Sequence, residues 1–362
     1  MSTQGKISKE EISGNSKPCG NAPLPEQIGI ILLNMGGPDS LQAVRPFLKN
    51  LFSDRDIIQL GPPFLQKPLA WLISTLRSGK TEKAYRLIGG KSPIVDITLD
   101  QAAALQKVLN SPDPSQKDSS AGVSCQVFVG MRYWHPLIEE IVPQILSRGV
   151  RKLIALSLYP HYSCTTAGSS LRKLEKEALN SGLDVFPISS WFDHPLYIDA
   201  LATQIRKGID SFQKDLSAGG KDPGRDIHLL FSAHSLPQKI IDNGDPYDRQ
   251  IRGTIESVTK KLSVPWHLSY QSRSGPVKWL EPSTEEKLKE LAENGVRHIL
   301  VVPVSFVSDH IETLYEIDLL YRGMAQSHGI DLRRVESLNT HPTFIAALKD
   351  IVLTGIRDAG WK

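Results

Sequence analysis

Residues 298–322, HILVVPVSFVSDHIETLYEIDLLYR, contain a strand, a turn and a helix in succession. The run Ile299–Val304 is apolar and rich in β-branched residues, which is typical of a buried parallel strand. The apolar run breaks at Ser305–Ser308, and helical spacing follows. A strand that leads through a short turn into a helix is the repeating unit of α/β proteins, so this stretch decides the fold class.

Three acidic residues of this helix have a spacing that predicts one shared face. Asp309, Glu312 and Glu316 stand at positions i, i+3 and i+7, and His310 lies beside them. A structural explanation is open, because Asp309 can cap the helix, Glu312 can complete a capping box and Glu316 can face water. A functional explanation is also open, because α/β proteins bind ligands at the carboxyl ends of strands. Carboxylate and imidazole groups in that place can hold a divalent cation or move protons.

The alternation of apolar strands with amphipathic helices continues along the chain. Seven strands are predicted: Ile28–Asn34, Val123–Val129, Lys152–Leu158, Asp184–Ile188, Ile227–Ser232, Trp266–Tyr270 and Ile299–Val304. Strands that alternate with helices form βαβ units and parallel sheets. We therefore predict an α/β protein with two Rossmann-like lobes, each a four-stranded parallel sheet flanked by helices, and a ligand cleft between the lobes.

This architecture divides the chain into four segments. Residues 1–26 are polar and lack an apolar run, so we expect a disordered tail rather than a signal peptide. Residues 27–190 are predicted to form the N-terminal lobe and residues 191–340 the C-terminal lobe. Residues 341–362 are predicted to contain a final helix, and the two lobes are expected to meet near residue 190.

Composition excludes several classes of protein. The 362 residues carry a formal charge of +3, with 40% hydrophobic and 22% charged residues, which is ordinary for a globular protein. The charge is too small, and the basic residues are too dispersed, to indicate a nucleic-acid partner. No run approaches the roughly 20 apolar residues of a membrane span. We therefore expect a cytoplasmic protein whose only membrane contact is peripheral, at the inner face.

Residues 60–80, LGPPFLQKPLAWLISTLRSGK, crowd apolar side chains into a proline-rich stretch with basic residues. Two interpretations are open at this point. The segment is a core helix, as apolar helical stripes usually are. Alternatively, it is an exposed apolar lip with a basic fringe, which suits an amphipathic ligand or a membrane surface.

The common nucleotide-binding and hydrolase motifs are absent from the sequence. The chain contains no GxGxxG, no GxxxxGK[ST] and no GxSxG. Polar or reactive side chains instead follow several predicted strands: Met35, Arg132, Tyr133, His161, His234, Gln271 and the acids of residues 309–316. Each alone has a structural explanation, such as a satisfied buried histidine for His234. Their convergence on strand ends favours a functional cleft.

Seven segments carry a resemblance to one family: NMGGP (34–38), YRLIGGKSPI (85–94), GMRYWHP (130–136), LYPHYSCTTAGSS (158–170), SAHSLP (232–237), QSRSGPVKWLEP (271–282) and FVSDHIETLYEID (306–318). They resemble the ferrochelatases, which insert Fe²⁺ into a porphyrin as the last step of heme formation. The resemblance runs from about Ile28 to Trp361, and SAHSLP together with SDHIETLYEID is highly specific. It implies the two-lobed chelatase fold with the active site in its cleft.

The resemblance implies roles for individual residues. His234 is expected to be the main catalytic histidine at the pyrrole nitrogens, with Glu312 as the acid that faces it across the cleft, and both are candidate metal ligands. Asp309, His310 and Glu316 belong to the same catalytic group, on a helix that is partly π-wound in the family. Six residues are expected to bind the porphyrin: Met35, Arg86, Arg132, Tyr133, Ser163 and Trp279.

The resemblance also implies the substrates, which are Fe²⁺ and protoporphyrin IX. Metal entry requires that both N–H protons leave the porphyrin ring, and a neutral histidine can accept a proton near pH 7. A macrocycle clamped between two lobes is bent by remote binding energy. Residues 60–80 resemble the active-site lip, which rests on the bilayer in membrane-associated members of the family.

No bound prosthetic group is expected. Some ferrochelatases carry a [2Fe–2S] cluster, which needs four cysteine ligands. This chain has Cys19, Cys125 and Cys164, and it ends at Lys362 without a cysteine-rich tail. Two alternatives stay open: a chelatase for coproporphyrin III or another tetrapyrrole, and a non-catalytic two-lobed protein that binds metal or heme.

Overall fold

The computed structural model describes residues 27–111, 124–218 and 227–361, and its framework is two four-stranded parallel sheets. The predicted tail, residues 1–26, lies outside the described residues. The strands are β1 (Gln27–Asn34), β2 (Ser124–Met131), β3 (Lys152–Ser157), β4 (Asp184–Ile188), β5 (Ile227–His234), β6 (Trp266–Gln271), β7 (His298–Pro303) and β8 (Asp331–Arg334). The strand orders are β2-β1-β3-β4 and β6-β5-β7-β8, so both lobes repeat one topology. The predicted fold class is confirmed.

Helices cover both faces of the sheets. Those of the N-terminal half are α1 (Val44–Ser53), α2 (Gln66–Leu87), α3 (Ile94–Leu109), α4 (Ile138–Ser147) and α5 (Ala167–Ala178), with a 3-10 turn over Pro63–Leu65. Those that follow are α6 (Pro195–Ala218), α7 (Gln238–Asp242), α8 (Tyr247–Thr259), α9 (Thr284–Glu293), α10 (Arg322–Ser327) and α11 (Pro342–Asp358). A π-helix, Glu312–Tyr321, lies between β7 and α10. Strands that are covered on both faces have nearly continuous apolar sequences. For this reason, β1 and β7 could be predicted from the sequence.

The fourth strand of the C-terminal lobe had no predicted position. This strand, β8, has the sequence DLRR, and Leu332 is its one buried apolar residue. Its parallel pairing with β7 runs from His298↔Asp331 to Val301↔Arg334. An edge strand with a single apolar residue has no hydrophobic period that sequence analysis can detect.

One hydrophobic core extends through both lobes. Trp191, at the predicted lobe boundary, packs edge-to-face on Tyr197 of α6 with the ring centroids 4.9 Å apart. The ring centroid of Phe344 in α11 lies 6.0 Å from that of Trp191. Although α11 follows β8 in the chain, it packs against α3 and β3 of the N-terminal lobe as well as against α6. Packing therefore joins the two lobes.

Residues 60–80, the lip segment, form a 3-10 turn and the exposed start of α2 rather than a core helix. The buried residues of α2 are small or polar, with one tyrosine: Gln66, Ala70, Ser74, Ala84 and Tyr85. The side chains of Phe64, Trp71 and Leu76 are 76%, 52% and 74% exposed. Of the two open interpretations, the apolar lip agrees with this exposure. In the described part of the chain, no helix combines the length and apolar character that crossing a bilayer requires.

The strand order brings the two main site residues together. In the C-terminal sheet, β6 lies on one side of β5 and β7 lies on the other, so the direction in which strands are added changes at β5. Ligands of α/β proteins bind at such topological switch points. His234 is the last residue of β5, and β7 leads through a short loop to Glu312. Because β5 and β7 are neighbouring parallel strands, their carboxyl ends place these two residues at the same edge of the sheet.

The close packing of α11 predicts an effect on stability. A Cβ at Gly355 would lie 2.6 Å from Cδ1 of Ile188 in β4. We expect Gly355→Val to overpack this contact and to lower the free energy of unfolding by about 1–3 kcal/mol, measured by denaturation. The control is Gly323→Ala in α10, where no atom lies within 4 Å of the new Cβ and stability is expected to stay equal or rise slightly. A Gly355→Val protein as stable as the wild type would contradict the close packing.

Candidate active site

His234 and Glu312 form a hydrogen-bonded pair at the carboxyl end of the C-terminal sheet. Nδ1 of His234 lies 2.8 Å from Oε2 of Glu312, and the two side chains are 35% and 13% exposed. The backbone of His234 is fixed because its N–H donates to the Ser305 hydroxyl and its carbonyl accepts from the Tyr247 hydroxyl, each at 3.0 Å. The pair was expected to face each other across the cleft, but both residues lie in one lobe and are in direct contact. Because Nδ1 is hydrogen-bonded to Glu312, Nε2 is the ring nitrogen that remains available to a ligand.

A second carboxylate, Glu316, shares a donor with Glu312. The Ser272 hydroxyl lies 2.9 Å from Oε2 of Glu312 and 2.5 Å from Oε2 of Glu316. Nε2 of Gln271 approaches Oε2 of Glu316 at 3.3 Å, and its Oε1 accepts from the Ser232 hydroxyl at 2.6 Å, which orients the amide. Ser272 has a positive φ of 66°, a left-handed conformation that is uncommon outside glycine and found at functional sites.

The environment separates the pKa values of the two carboxylates. Burial raises the pKa of Glu312, but His234 and the Ser272 hydroxyl outweigh burial and hold it below its ordinary value. Burial and the charge of Glu312 both raise the pKa of Glu316 well above its ordinary value. For His234, burial disfavours the imidazolium, yet the Glu312 carboxylate is stronger and raises the pKa of the ring. One acid therefore stays ionised while its neighbour can carry a proton.

The capping-box explanation of the three acids is wrong, and so is the prediction that they share one face. The carboxylate of Glu312 accepts from site residues, and the helix starts without a side-chain cap. Glu312 and Glu316 meet at a common donor, whereas Asp309 pairs with Arg334. The helix is π-wound over Glu312–Tyr321, so a spacing based on 3.6 residues per turn does not describe it.

Asp309 and His310 lie beside the pair but are engaged with other groups. Burial raises the pKa of Asp309, but the guanidinium of Arg334 and several hydrogen bonds outweigh it and lower the pKa. Nδ1 of His310 lies 3.0 Å from the carbonyl oxygen of Ser308, so Nδ1 carries the proton and Nε2 the lone pair. That Nε2 has no hydrogen-bond partner within the described ranges, and burial lowers the pKa of His310. His310 is therefore a neutral, buried ring.

Asp54 organises a polar cluster in the N-terminal lobe that contains the predicted porphyrin-binding residues Arg132 and Tyr133. Its Oδ2 accepts from Nη2 of Arg132 at 2.7 Å and from the Tyr133 hydroxyl at 2.6 Å. The Ser169 hydroxyl donates to the same oxygen at 2.7 Å. Burial raises the pKa of Asp54, but these donors and the charge of Arg132 lower it on balance. The guanidinium of Arg132 also lies over the Tyr133 ring, 4.9 Å from its centroid, so the predicted pair is held together by an ionised carboxylate.

The other predicted porphyrin-binding residues lie in different surroundings. Met35 is half-buried just after β1, and Arg86 is exposed on α2. Ser163 is buried and donates to Oδ2 of Asp245 in the other lobe at 3.0 Å. Trp279 is half-buried, and its Nε1 lacks a hydrogen-bond partner in the part of the chain that the structure describes. Ser163 therefore joins the lobes in this conformation, and the binding roles of these residues stay predictions.

Sequence analysis missed two residues that contact the predicted site residues, Asp54 and Ser272. Ser272 directly follows Gln271 at the end of β6, so the rule that ligands bind at strand ends could have identified it. Asp54 ends α1 and has no local pattern, because its importance comes from contacts with residues far along the chain.

The arrangement can accept protons and attract a cation. The imidazole of His234 and the carboxylate of Glu316 are proton acceptors, and the ionised Glu312 attracts positive charge. His234 and Glu312 are the predicted metal contacts. Over residues 27–111, 124–218 and 227–361, no cluster of three or more histidine, cysteine, aspartate or glutamate side chains has the geometry of a metal site.

Comparison with known proteins agrees with this geometry and confirms the resemblance seen in the sequence. The ferrochelatase family profile matches residues 27–356. The ferrochelatase of Geobacter metallireducens is 49% identical over 333 residues, which cover 91% of this chain and 98% of that protein. The ferrochelatase of Gloeobacter violaceus is 45% identical over 338 residues, with the same two coverages of 91% and 98%.

Among solved structures, SirB from Bacillus subtilis with Fe³⁺ aligns with a TM-score of 0.51 and 10% identity, over 93% of this chain and 98% of that chain. At this identity the likeness concerns the fold alone. The profile match and the relatives, almost half identical along nearly their whole length, are the decisive observations. The chain belongs to the ferrochelatase family of metal chelatases.

Proposed function

We propose that this chain inserts Fe²⁺ into protoporphyrin IX to form heme, with the release of two protons. The observation that carries the proposal is the His234–Glu312 pair, 2.8 Å apart, at the switch point of the C-terminal sheet. Membership of the ferrochelatase family supports a porphyrin and a metal ion as the substrates. The enzyme is then a lyase of heme biosynthesis.

His234 accepts the pyrrole protons in this proposal. Its Nδ1–H is directed at Glu312, so the lone pair that receives a proton is on Nε2. The ionised Glu312 stabilises the imidazolium that forms, and a base with a raised pKa binds the proton more strongly. Fe²⁺ meets the same two side chains, because a carboxylate oxygen and an imidazole nitrogen are both metal donors.

Glu316 supplies a route by which protons leave. The Ser272 hydroxyl lies within hydrogen-bond distance of both carboxylates, and Glu316 can hold a proton while Glu312 remains ionised. Asp309 and His310 flank the start of this helix. We keep them in the catalytic group as residues that position its other members, and not as proton acceptors.

The lip segment supports protoporphyrin IX as the macrocycle and the inner face of a membrane as its source. Phe64, Trp71 and Leu76 are exposed, and the guanidinium of Arg45 lies 5.5 Å above the Trp71 ring. An apolar surface with basic side chains suits an apolar ring that carries few carboxylates, and it suits anionic lipids. Coproporphyrin III carries more carboxylates and fits such a surface less well.

Iron is a substrate in this proposal, and no prosthetic group is included. A [2Fe–2S] cluster needs four thiolates, and the chain has three cysteines. Of these cysteines, Cys125 is buried and Cys164 is partly buried.

The role of His234 predicts a loss of activity without a loss of binding. Because the proton acceptor is removed, we expect His234→Ala to lower kcat for zinc or iron insertion into protoporphyrin IX by at least about 100-fold. Porphyrin binding, followed by fluorescence, should persist. The exposed His328 supplies the control, and His328→Ala should keep wild-type activity.

Each other outcome has a definite meaning. Equal activity of His234→Ala and the wild type would contradict the assignment of the catalytic histidine. A wild type that acts on coproporphyrin III alone would replace the proposed substrate. Binding of porphyrin without insertion of either metal would favour a non-catalytic binding protein.

The pairing of His234 with Glu312 predicts a pH effect. Burial lowers the pKa of His234, whereas the Glu312 carboxylate and, to a smaller extent, the charge of Glu316 raise it, so Glu312→Gln removes the larger raising influence. We expect the pKa of His234 to fall in Glu312→Gln, measured by histidine NMR in metal-free protein. A base works when deprotonated, so the acid limb of the rate profile should move to lower pH. The control is Asp350→Asn, which breaks the more exposed pair between Asp350 and His194 and should leave the pKa of His234 unchanged. If the pKa of His234 in Glu312→Gln is equal to or higher than in the wild type, the prediction is refuted.

The lip segment predicts binding to vesicles of phosphatidylcholine and phosphatidylglycerol. A buried apolar side chain contributes about 1.5–3 kcal/mol, so we expect Phe64→Glu/Leu76→Glu to weaken vesicle partitioning at least about tenfold in co-sedimentation. Leu179, 70% exposed at the end of α5, gives the matched control Leu179→Glu, which should bind like the wild type. If the wild type stays in the supernatant, the lip does not bind lipid.

A further inference from the structure

Arg334, the last residue of β8, connects two acids of the active-site segment. Its Nη1 lies 2.9 Å from Oδ1 of Asp309. Its Nε and Nη2 lie 3.0 and 2.8 Å from the two carboxylate oxygens of Asp318. The Arg334 side chain is 10% exposed, so the guanidinium is largely enclosed by these contacts. The paired geometry with Asp318 is specific to arginine, whose planar fork matches a carboxylate.

The two acids bracket the carboxylates of the active site. Asp309 precedes Glu312, and Asp318 follows Glu316, so one guanidinium spans the stretch that carries both. That stretch is π-wound from Glu312 onward. Because π-helical turns are rare, a contact that holds both ends of this stretch can favour the observed winding over an α-helix.

Asp309 uses both carboxylate oxygens in this network. Oδ1 accepts from Arg334 and from the hydroxyls of Ser337 at 2.7 Å and Thr313 at 3.2 Å. Oδ2 accepts from Nδ2 of Asn339 at 2.9 Å, and the Asp309 N–H donates to Oδ1 of Asn339 at 3.0 Å. A carboxylate with four donors is not free to take protons or iron. Its contacts hold the chain in place.

The network also reaches the opposite lobe. Gln101 of α3 is fully buried, and its Nε2 donates to the Ser308 hydroxyl at 3.0 Å and to the carbonyl oxygen of Asn339 at 2.8 Å. Asn339 in turn holds Asp309. The start of the active-site helix is therefore tied to the N-terminal lobe as well as to β8.

We propose that Arg334 is a positioning residue for metal insertion. By holding Asp309 and Asp318, it fixes the π-wound segment between them. Glu312 and Glu316 thereby keep the places that their hydrogen bonds to the rest of the site require. Arg334 itself contacts neither porphyrin nor iron. The inference rests on the proposed function, because it gives Arg334 a part in the same reaction.

Arg333 provides a matched comparison within the same strand. It pairs with Asp215 at 2.6 Å and with Asp331 at 3.2 Å, and its guanidinium lies 4.0 Å from the ring centroid of Phe212. Arg333 thus also makes two ion pairs, but neither of them involves a residue of the segment 309–318.

The test compares Arg334→Gln with Arg333→Gln in zinc insertion into protoporphyrin IX, well below the unfolding temperature of either protein. We expect Arg334→Gln to lower kcat at least about tenfold with KM for porphyrin within about threefold, because the pocket remains while its carboxylates are displaced. Arg333→Gln should stay within about twofold of the wild type in both constants. Equal kcat values in the two variants would overturn the inference. An inactive wild type would instead overturn the proposed function and this inference with it.

A second variant keeps the test decisive if Arg334→Gln fails to fold. Asp318→Asn keeps the size of the side chain and removes one charge from the network. We expect it to lower kcat at least about fivefold in the wild-type background, but by about half that factor or less in Glu316→Gln, where Glu312 is the one of the two carboxylates left to be positioned. A purely structural role predicts the same loss in both backgrounds, and that result would overturn the proposal.

Discussion

A buried carboxylate, that of Glu312, is the constraint on which the active site depends. A charge removed from water is unfavourable unless donors surround it, and here they come from His234 at the end of β5 and Ser272 after β6. The same contacts set the chemistry, since Glu312 raises the pKa of His234 and of Glu316. The hydrogen bonds that make the buried charge tolerable are therefore the ones that prepare a base and a proton carrier.

The two lobes share one topology but compensate their buried acids in different ways. In the N-terminal lobe, Asp54 is paired with Arg132, a cation at every physiological pH. In the C-terminal lobe, the partner of Glu312 is His234, whose imidazole can be neutral or protonated. The first pair has no group that readily releases a proton, whereas the second can exchange protons. The repeated fold thus holds one buried acid beside an arginine and another beside a histidine.

Apolar strands and motif resemblance made the architecture predictable, together with the presence of His234 and Glu312 in one site, but not their direct contact within one lobe. Runs such as β7 are visible in the sequence because both faces of a parallel sheet are covered. The strand β8 was not predictable, because its pairing with β7 defines it. The separation of Asp309 from the other acids was equally hidden, since Asp309 precedes the helix and pairs with Arg334, 25 residues away. Asp54 was not predictable either, because its contact with Arg132 joins residues that are 78 positions apart in the sequence.

The return of α11 to the N-terminal lobe has a consequence for synthesis. The lobe emerges from the ribosome first, but part of its core arrives only with the helix that packs on α3 and β3. Its apolar surface therefore stays uncovered while the whole C-terminal sheet is being made. We therefore expect the N-terminal lobe to complete its core only after α11 has been synthesised, so that the two lobes finish folding together rather than one after the other.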